Sequence, residues 1–203
     1  MKSISEYKKV GIKVASLYKN PTFKSELVTQ ALLNEELLVL DRINNWYKVR
    51  QWDNYESWIH SFYLCESEEP IFHKNIEYNT HNLLEIAKSY LNTPYLWGGK
   101  SKLGFDCSGF IQTVYKQLGV FFPRDTSEQI KSKNLVEIKY SNINLGDLLF
   151  FANNKVINHV AIYISNGDMI HASGKVKIEK LEENIKLFDS LYKVFSIRHM
   201  IQD

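Results

Sequence analysis

Cysteine is scarce in this 203-residue chain: Cys65 and Cys107 are the only two, with no C-x-x-C pair and no Cys/His cluster at ligand spacing. That excludes a disulfide framework and a structural zinc site and leaves two independent thiols, so neither metal nor cofactor is expected. Charge of one sign is equally scarce. Lysine and arginine number 25 against 23 acidic residues, a formal net charge of +2 without a long run of either sign. Nothing therefore announces a nucleic-acid or membrane surface, although a small anionic ligand stays compatible. Long apolar runs are missing too, and no stretch approaches the roughly 18 residues of a membrane span. The start, MKSISEYKKVGIKVASLYK, is lysine-rich but lacks an apolar core and a small-residue cleavage site. As written, the chain reads as cytoplasmic, or as extracellular if a leader has been trimmed. No feature sets an oligomeric state.

What is present falls into two halves. Residues 1–66 hold short β-rich runs, Gly11–Ala15, Glu36–Leu40, Trp46–Arg50 and Ser57–His60, separated by turn signals at Lys19–Pro21, Asp41–Asn45 and Trp52–Asn54. A small β-barrel follows from that punctuation. Glu66, Glu68 and Glu69, ending at Pro70, open a stretch without periodicity, so 67–80 reads as a linker. Beyond it, over 81–203, the order changes. Leu83, Leu84, Ala87, Tyr90 and Leu91 recur at helical steps behind a Thr80 cap, and Asn92-Thr-Pro94 stops them. Phe110, Ile111, Val114, Tyr115 and Leu118 form a second stripe that ends at Gly119. Asp125–Gln129 offers capping-box chemistry for a short third helix, and strands are expected at 147–151, 159–164, 169–172 and 192–197. Helices followed by antiparallel strands, with no βαβ alternation, make an α+β domain.

Cys107, in Gly104-Phe-Asp-Cys-Ser-Gly-Phe110, stands at the first turn of the second helix. A helix N-terminus stabilises a thiolate through its free N–H groups, which favours a nucleophile there. Such a nucleophile still needs a base that takes its proton and returns it to a leaving amine, at neutral pH usually a histidine. Among His60, His73, His81, His159, His171 and His199, the pair His159 and His171 lies on adjacent expected strands; His73 and His81 sit in or beside the linker. A lone cysteine is more often buried packing, which is the default for Cys65.

Six blocks carry a resemblance: Pro94–Gly99 (PYLWGG), Phe105–Phe110 (FDCSGF), Pro123-Arg124, Gly146–Phe151 (GDLLFF), His159–Tyr163 (HVAIY) and Ile170–Ala172 (IHA). In this order they resemble the NlpC/P60 family of cysteine peptidases over about 80–203. The first half resembles a bacterial SH3-type domain through Asn45–Val49 and Tyr55–Ile59, with Ser57 where that pattern has glycine. The resemblance implies a papain-like α+β domain behind an SH3-like barrel. It also implies Cys107 as nucleophile, His159 as base and acid, and His171 as the group that orients His159. Tyr95 then contacts the reacting carbonyl or nearby substrate backbone, and N–H groups at the Cys107 helix start are a further oxyanion source. Asp106 either reads a substrate ammonium or caps the helix. Ser108 matches a substrate-binding position. Trp97 either lines the groove or packs. Arg124 is a carboxylate clamp or an ion-pair partner, and Thr126 and Ser127 bind substrate or cap.

The implied substrates are peptidoglycan-derived peptides, murein tripeptide or tetrapeptide, cut at the γ-D-glutamyl bond to a diamino acid. In recycling members of the family an acid and a tyrosine from the SH3-type domain grip the free L-Ala amine; Glu26 and Tyr55 match those positions. The alternatives are an endopeptidase on intact wall, a catalytically silent wall-peptide module, and acyl transfer to an amine. One local expectation conflicts with the implied triad. A tight Asn166-Gly167 hairpin pairs Ser165 with Asp168 and sets His171 opposite Ile162, whereas facing His159 directly requires a three-residue loop from Ile164 to Asn166.

Overall fold

The computed structural model describes residues 6–66 and 80–197. The expected linker, apart from Thr80, lies outside them, as do His73 and His199.

Among the described residues, the first half contains seven strands: β1 (Tyr7–Val10), β2 (Val14–Tyr18), β3 (Leu27–Leu32), β4 (Glu36–Ile43), β5 (Trp46–Arg50), β6 (Glu56–His60) and β7 (Leu64–Cys65). They form one antiparallel sheet in the order β3-β2-β6-β5-β4-β1-β7. Alternation explains its core. Ala15 and Leu17 of β2 point inward with Ala31, Leu37, Val49 and Ile59, while Val14, Ser16 and Tyr18 of β2 are only partly buried. The run expected at Gly11–Ala15 is displaced to β2, and β1 and β3 carried no turn signal strong enough to mark them. Asn34, Asn44 and Asn54 adopt positive φ at the bends, which asparagine tolerates better than other side chains with a Cβ.

The second half begins with α1 (Thr80–Lys88), then β8 (Lys100–Ser101), β9 (Gly104–Phe105), α2 (Cys107–Gln117) and α3 (Thr126–Gln129). It ends with β10 (Leu135–Ile138), β11 (Leu148–Asn153), β12 (Val156–Ser165), β13 (Asp168–Ser173), β14 (Lys175–Lys180), α4 (Ile185–Ser190) and β15 (Leu191–Ile197). Six of these strands form a sheet in the order β10-β15-β11-β12-β13-β14. The apolar stripe of α2, Phe110, Ile111, Val114 and Tyr115, is fully buried against Leu148, Phe150, Val160, Ile162, Ile170 and Ala172 of the sheet. Each such aliphatic or phenyl side chain contributes about 1.5–3 kcal/mol on burial, enough to anchor the helix rigidly. Gly119 ends it at φ +76, where a side chain would be strained. The capping box expected for α3 does not form: Asp125 takes the N-cap position without a side-chain bond, and the Gln129 amide instead donates to Ser108 O and Pro123 O.

The two halves pack closely. Gln112 Nε2 donates to Asp53 Oδ2 at 2.6 Å, the Lys100 backbone N–H to Gln30 Oε1 at 2.9 Å, and Arg124 Nε to Thr29 Oγ1 at 3.2 Å. Trp52 of the barrel lies edge-on to Phe121, with the Lys116 ammonium 4.1 Å from its ring centroid. Gly98, at φ +76, is pressed so near the barrel that a Cβ would stand 2.6 Å from Leu27 O.

Candidate active site

The hairpin between β12 and β13 decides whether the two strand histidines meet. Asn166 and Gly167 both have positive φ and Ser165 pairs with Asp168, as in a tight mirror-image turn. One residue later Tyr163 pairs with Met169, so Ile164 is a bulge. Neither expected register is correct. Continuing the observed one sets His171 level with Ala161, not Ile162, and puts His159 two residues away on the same face. Diagonal neighbours of that kind touch when their side chains are long. His159 Nε2 and His171 Nδ1 are 2.7 Å apart.

A third group lies behind them. β14 pairs with β13 so that Lys177 faces His171 and Glu179 faces Met169, which brings Glu179 to His171 from the other diagonal. Glu179 Oε1 is 3.0 Å from His171 Nε2, lying off the line of the N–H. Sequence reading missed both β14 and Glu179. The alternation Lys175-Val-Lys-Ile-Glu-Lys180 was the available signal for the strand.

Cys107 is the first residue of α2 and 8% exposed. Its thiol is pushed up to about 12, first by burial and then by the Asp106 carboxylate. Backbone N–H groups of Ser108 and Val160 and the Arg124 guanidinium pull the other way. Val160 follows His159 in β12, so the strand whose backbone touches the thiol also carries that histidine. Burial drives His159 down to about 3, with His171 adding and Glu179 opposing. His171 falls to about 4 for the same first reason. These shifts favour a neutral thiol and neutral imidazoles.

Asp106 is the N-cap of α2. Oδ1 accepts from Gly109 N–H at 2.7 Å and Arg124 Nη1 at 3.0 Å, and Oδ2 from Gly98 N–H at 2.9 Å and Arg124 Nη2 at 2.5 Å. Arg124, 2% exposed, also donates to Ser108 Oγ at 2.9 Å. Of the two readings left open for each, these contacts realise the cap and the ion pair. Gly109 permits this packing, since a Cβ there would fall 2.1 Å from Gly99 O.

A groove of about 500 Å³ runs along the domain junction, lined by Glu26 and Tyr55 of the barrel and by Tyr95, Trp97, Cys107 and Ser127 among others. Asp106, Ser108 and Thr126 also reach it. Glu26 accepts from Trp97 Nε1 at 2.9 Å and lies 3.4 Å from the Lys19 ammonium. The hydroxyls of Tyr55 and Tyr95 are each pushed up to about 12, mainly by burial, so both stay protonated donors. Among the described residues no group of three or more His, Cys, Asp or Glu is placed to hold a metal ion.

Comparison with known proteins gives this geometry a family. Residues 92–190 match the NlpC/P60 family, and residues 17–62 match the bacterial dipeptidyl-peptidase SH3 domain. A γ-D-glutamyl-L-lysine dipeptidyl-peptidase of Bacillus cereus is 34% identical over 165 residues, 78% of this chain and 47% of that protein. A crystal structure of an NlpC/P60 family protein from Bacillus cereus is similar at a TM-score of 0.56 and 29% identity, over 95% of this chain and 63% of that one. The NlpC/p60 domain of the peptidoglycan hydrolase SagA is 34% identical at a TM-score of 0.52, over 59% of this chain and 100% of that one. The chain spans less than half the length of the curated relatives it matches first. The family match over residues 92–190, together with 34% identity across the whole of the SagA NlpC/p60 domain, decides the matter: this chain belongs to NlpC/P60, with a bacterial SH3-type barrel in front.

Proposed function

We propose that the protein is a cysteine peptidase that hydrolyses the γ-D-glutamyl amide to a diamino acid in peptidoglycan stem peptides, and that it takes free peptides with an unblocked L-Ala amine. The observation that carries this is the shared groove: Glu26 and Tyr55 from one domain line the same cleft as Cys107 from the other. A carboxylate held beside a nucleophile's groove selects for an ammonium, and a stem still joined to glycan through its N-terminus has none. Relatives named γ-D-glutamyl-L-lysine dipeptidyl-peptidase support the same class of bond.

The chemistry follows from the tautomers. His159 Nε2 is engaged by His171, so Nδ1 is the nitrogen free to act as base. The Cys107 S–H proton passes to Nδ1 as sulfur bonds the carbonyl carbon, and the oxygen that takes the negative charge is met by N–H groups at the start of α2 and by the Tyr95 hydroxyl. Nδ1–H then gives its proton to the departing amine as the C–N bond breaks. Water, deprotonated by the same nitrogen, resolves the thioester.

The test is incubation of the protein and a Cys107→Ala variant with free and with glycan-linked stem peptides, followed by mass spectrometry. Cleavage of free peptide alone, absent in the variant, is the expected result. Equal cleavage of the glycan-linked form refutes amine selection, and activity that survives the substitution refutes the nucleophile.

A further inference from the structure

We infer that Glu179 is a positioning residue that completes a Cys107–His159–His171–Glu179 relay, fixing the tautomer of both imidazoles and supporting the charge that forms on them. The inference rests on the cysteine-peptidase reading above, and it adds a residue that no sequence motif marks.

The geometry is a chain of two contacts, His159 Nε2 to His171 Nδ1 at 2.7 Å and His171 Nε2 to Glu179 Oε1 at 3.0 Å. A carboxylate only accepts, and its charge 3.0 Å from Nε2, although off the N–H line, favours the His171 proton on that nitrogen. That leaves Nδ1 as an acceptor, which in turn draws the His159 proton to Nε2 and clears Nδ1 of His159 for the thiol. Were His171 protonated on Nδ1 instead, two N–H donors would meet head to head over 2.7 Å. His171 is 0% exposed, so water cannot take over either role. Glu179 is itself held in place. Lys177 Nζ contacts Oε2 at 2.7 Å, and Asn184 Nδ2, from the N-cap of α4, donates to Oε1 at 2.8 Å.

Charge matters as well as direction. The groups that face His171 are His159 from β12 and Lys177 and Glu179 from β14. When the thiol proton arrives on His159, Glu179 is the anion at the far end of the chain, and Lys177 is the cation that tempers it. A purely structural reading also exists, because the Asn184 bond could make Glu179 no more than a dock for α4.

The experiment separates these readings with Glu179→Gln, which keeps shape and an acceptor but loses charge, and Asn184→Ala, which removes the α4 tie alone. Expected for Glu179→Gln is a kcat lowered about tenfold with KM unchanged, together with a histidine-controlled limb of the pH–rate profile displaced to lower pH. Nitrogen-15 NMR of the imidazoles, which needs no substrate, should show His159 and His171 titrating at lower pH in the same variant. Asn184→Ala keeps the Glu179 charge and its Lys177 tie, so the limb and the imidazole titration should stay where they are while kcat falls less than in Glu179→Gln. An unchanged limb and unchanged imidazole titration in Glu179→Gln overturn the relay, and so does an Asn184→Ala variant that reproduces its losses. If the wild-type protein cuts no stem peptide, the peptidase reading fails by itself and the NMR comparison still judges the relay.

Discussion

The indole N–H of Trp97 donates to Glu26 Oε1 at 2.9 Å, joining the glycine loop before Cys107 to the barrel. The carboxylate proposed to receive a substrate ammonium is thus oriented before substrate arrives, and a preoriented acceptor loses little freedom on binding. Glu26→Gln should weaken cleavage of L-Ala-γ-D-Glu-diamino acid peptides by more than about tenfold, the worth of one charge-assisted hydrogen bond. An N-acetylated analogue should lose far less. Steady-state kinetics on the two substrates decides it, since equal losses would remove the ammonium-reading role.

Gly98 lies where the two domains come nearest, at φ +76 with Leu27 O in the space a Cβ would need. Gly98→Ala should push the loop from the barrel and break the Trp97–Glu26 bond, raising KM for free peptide while the thiol's intrinsic reactivity toward a small alkylating reagent changes little. A KM equal to that of the unaltered protein counts against any functional value of that contact.

Arg124 and Asp106 are an almost fully buried ion pair, and removal of one partner strands the other's charge. Arg124→Met should cost about 3–5 kcal/mol of stability. The double variant Arg124→Met/Asp106→Asn should recover part of that, because no uncompensated ion remains. Denaturant titration of the two proteins would expose the error if the double variant were the less stable.

Burial holds His171 down to about 4, whereas an unfolded chain protonates near the ordinary value of about 6.5. Below that value the unfolded chain binds a proton that the folded chain refuses, so the stability contributed by neutral His171 is complete above about 6.5 and is lost as pH falls toward 4. His159, held down to about 3, acts in the same direction. Urea midpoints should drop between pH 7 and pH 5, and less steeply in His171→Asn, which has no imidazole to protonate. A midpoint that is flat over that range argues against neutral burial.

Local patterns made much of this legible. The apolar stripe from Phe110 to Leu118 declares a helix by its period, and the short apolar runs at 147–151 and 159–164 fall on β11 and β12; Cys107 opens that helix and His159 lies on β12. The meeting of His159 with His171 was not legible, because it depends on a bulge at Ile164 that no residue type in Ile164-Ser-Asn-Gly167 announces. Glu179 is a step further from sequence: its place depends on two successive registers, and in isolation it is one charged residue on an edge strand. Arg124 was open between two roles until its neighbours were known, since an ion pair across 18 positions has no local signature.

The bond from Arg124 to Thr29 limits how freely the two domains can be exchanged. One guanidinium satisfies the cap of the nucleophile's helix on one side and a barrel hydroxyl on the other. Exchange of the barrel for an unrelated wall-binding module would therefore leave a buried donor without an acceptor at the base of the nucleophile helix. The front domain is part of what holds α2 in place, and chimeras that treat it as an interchangeable cartridge should need compensation at position 124 before they fold stably.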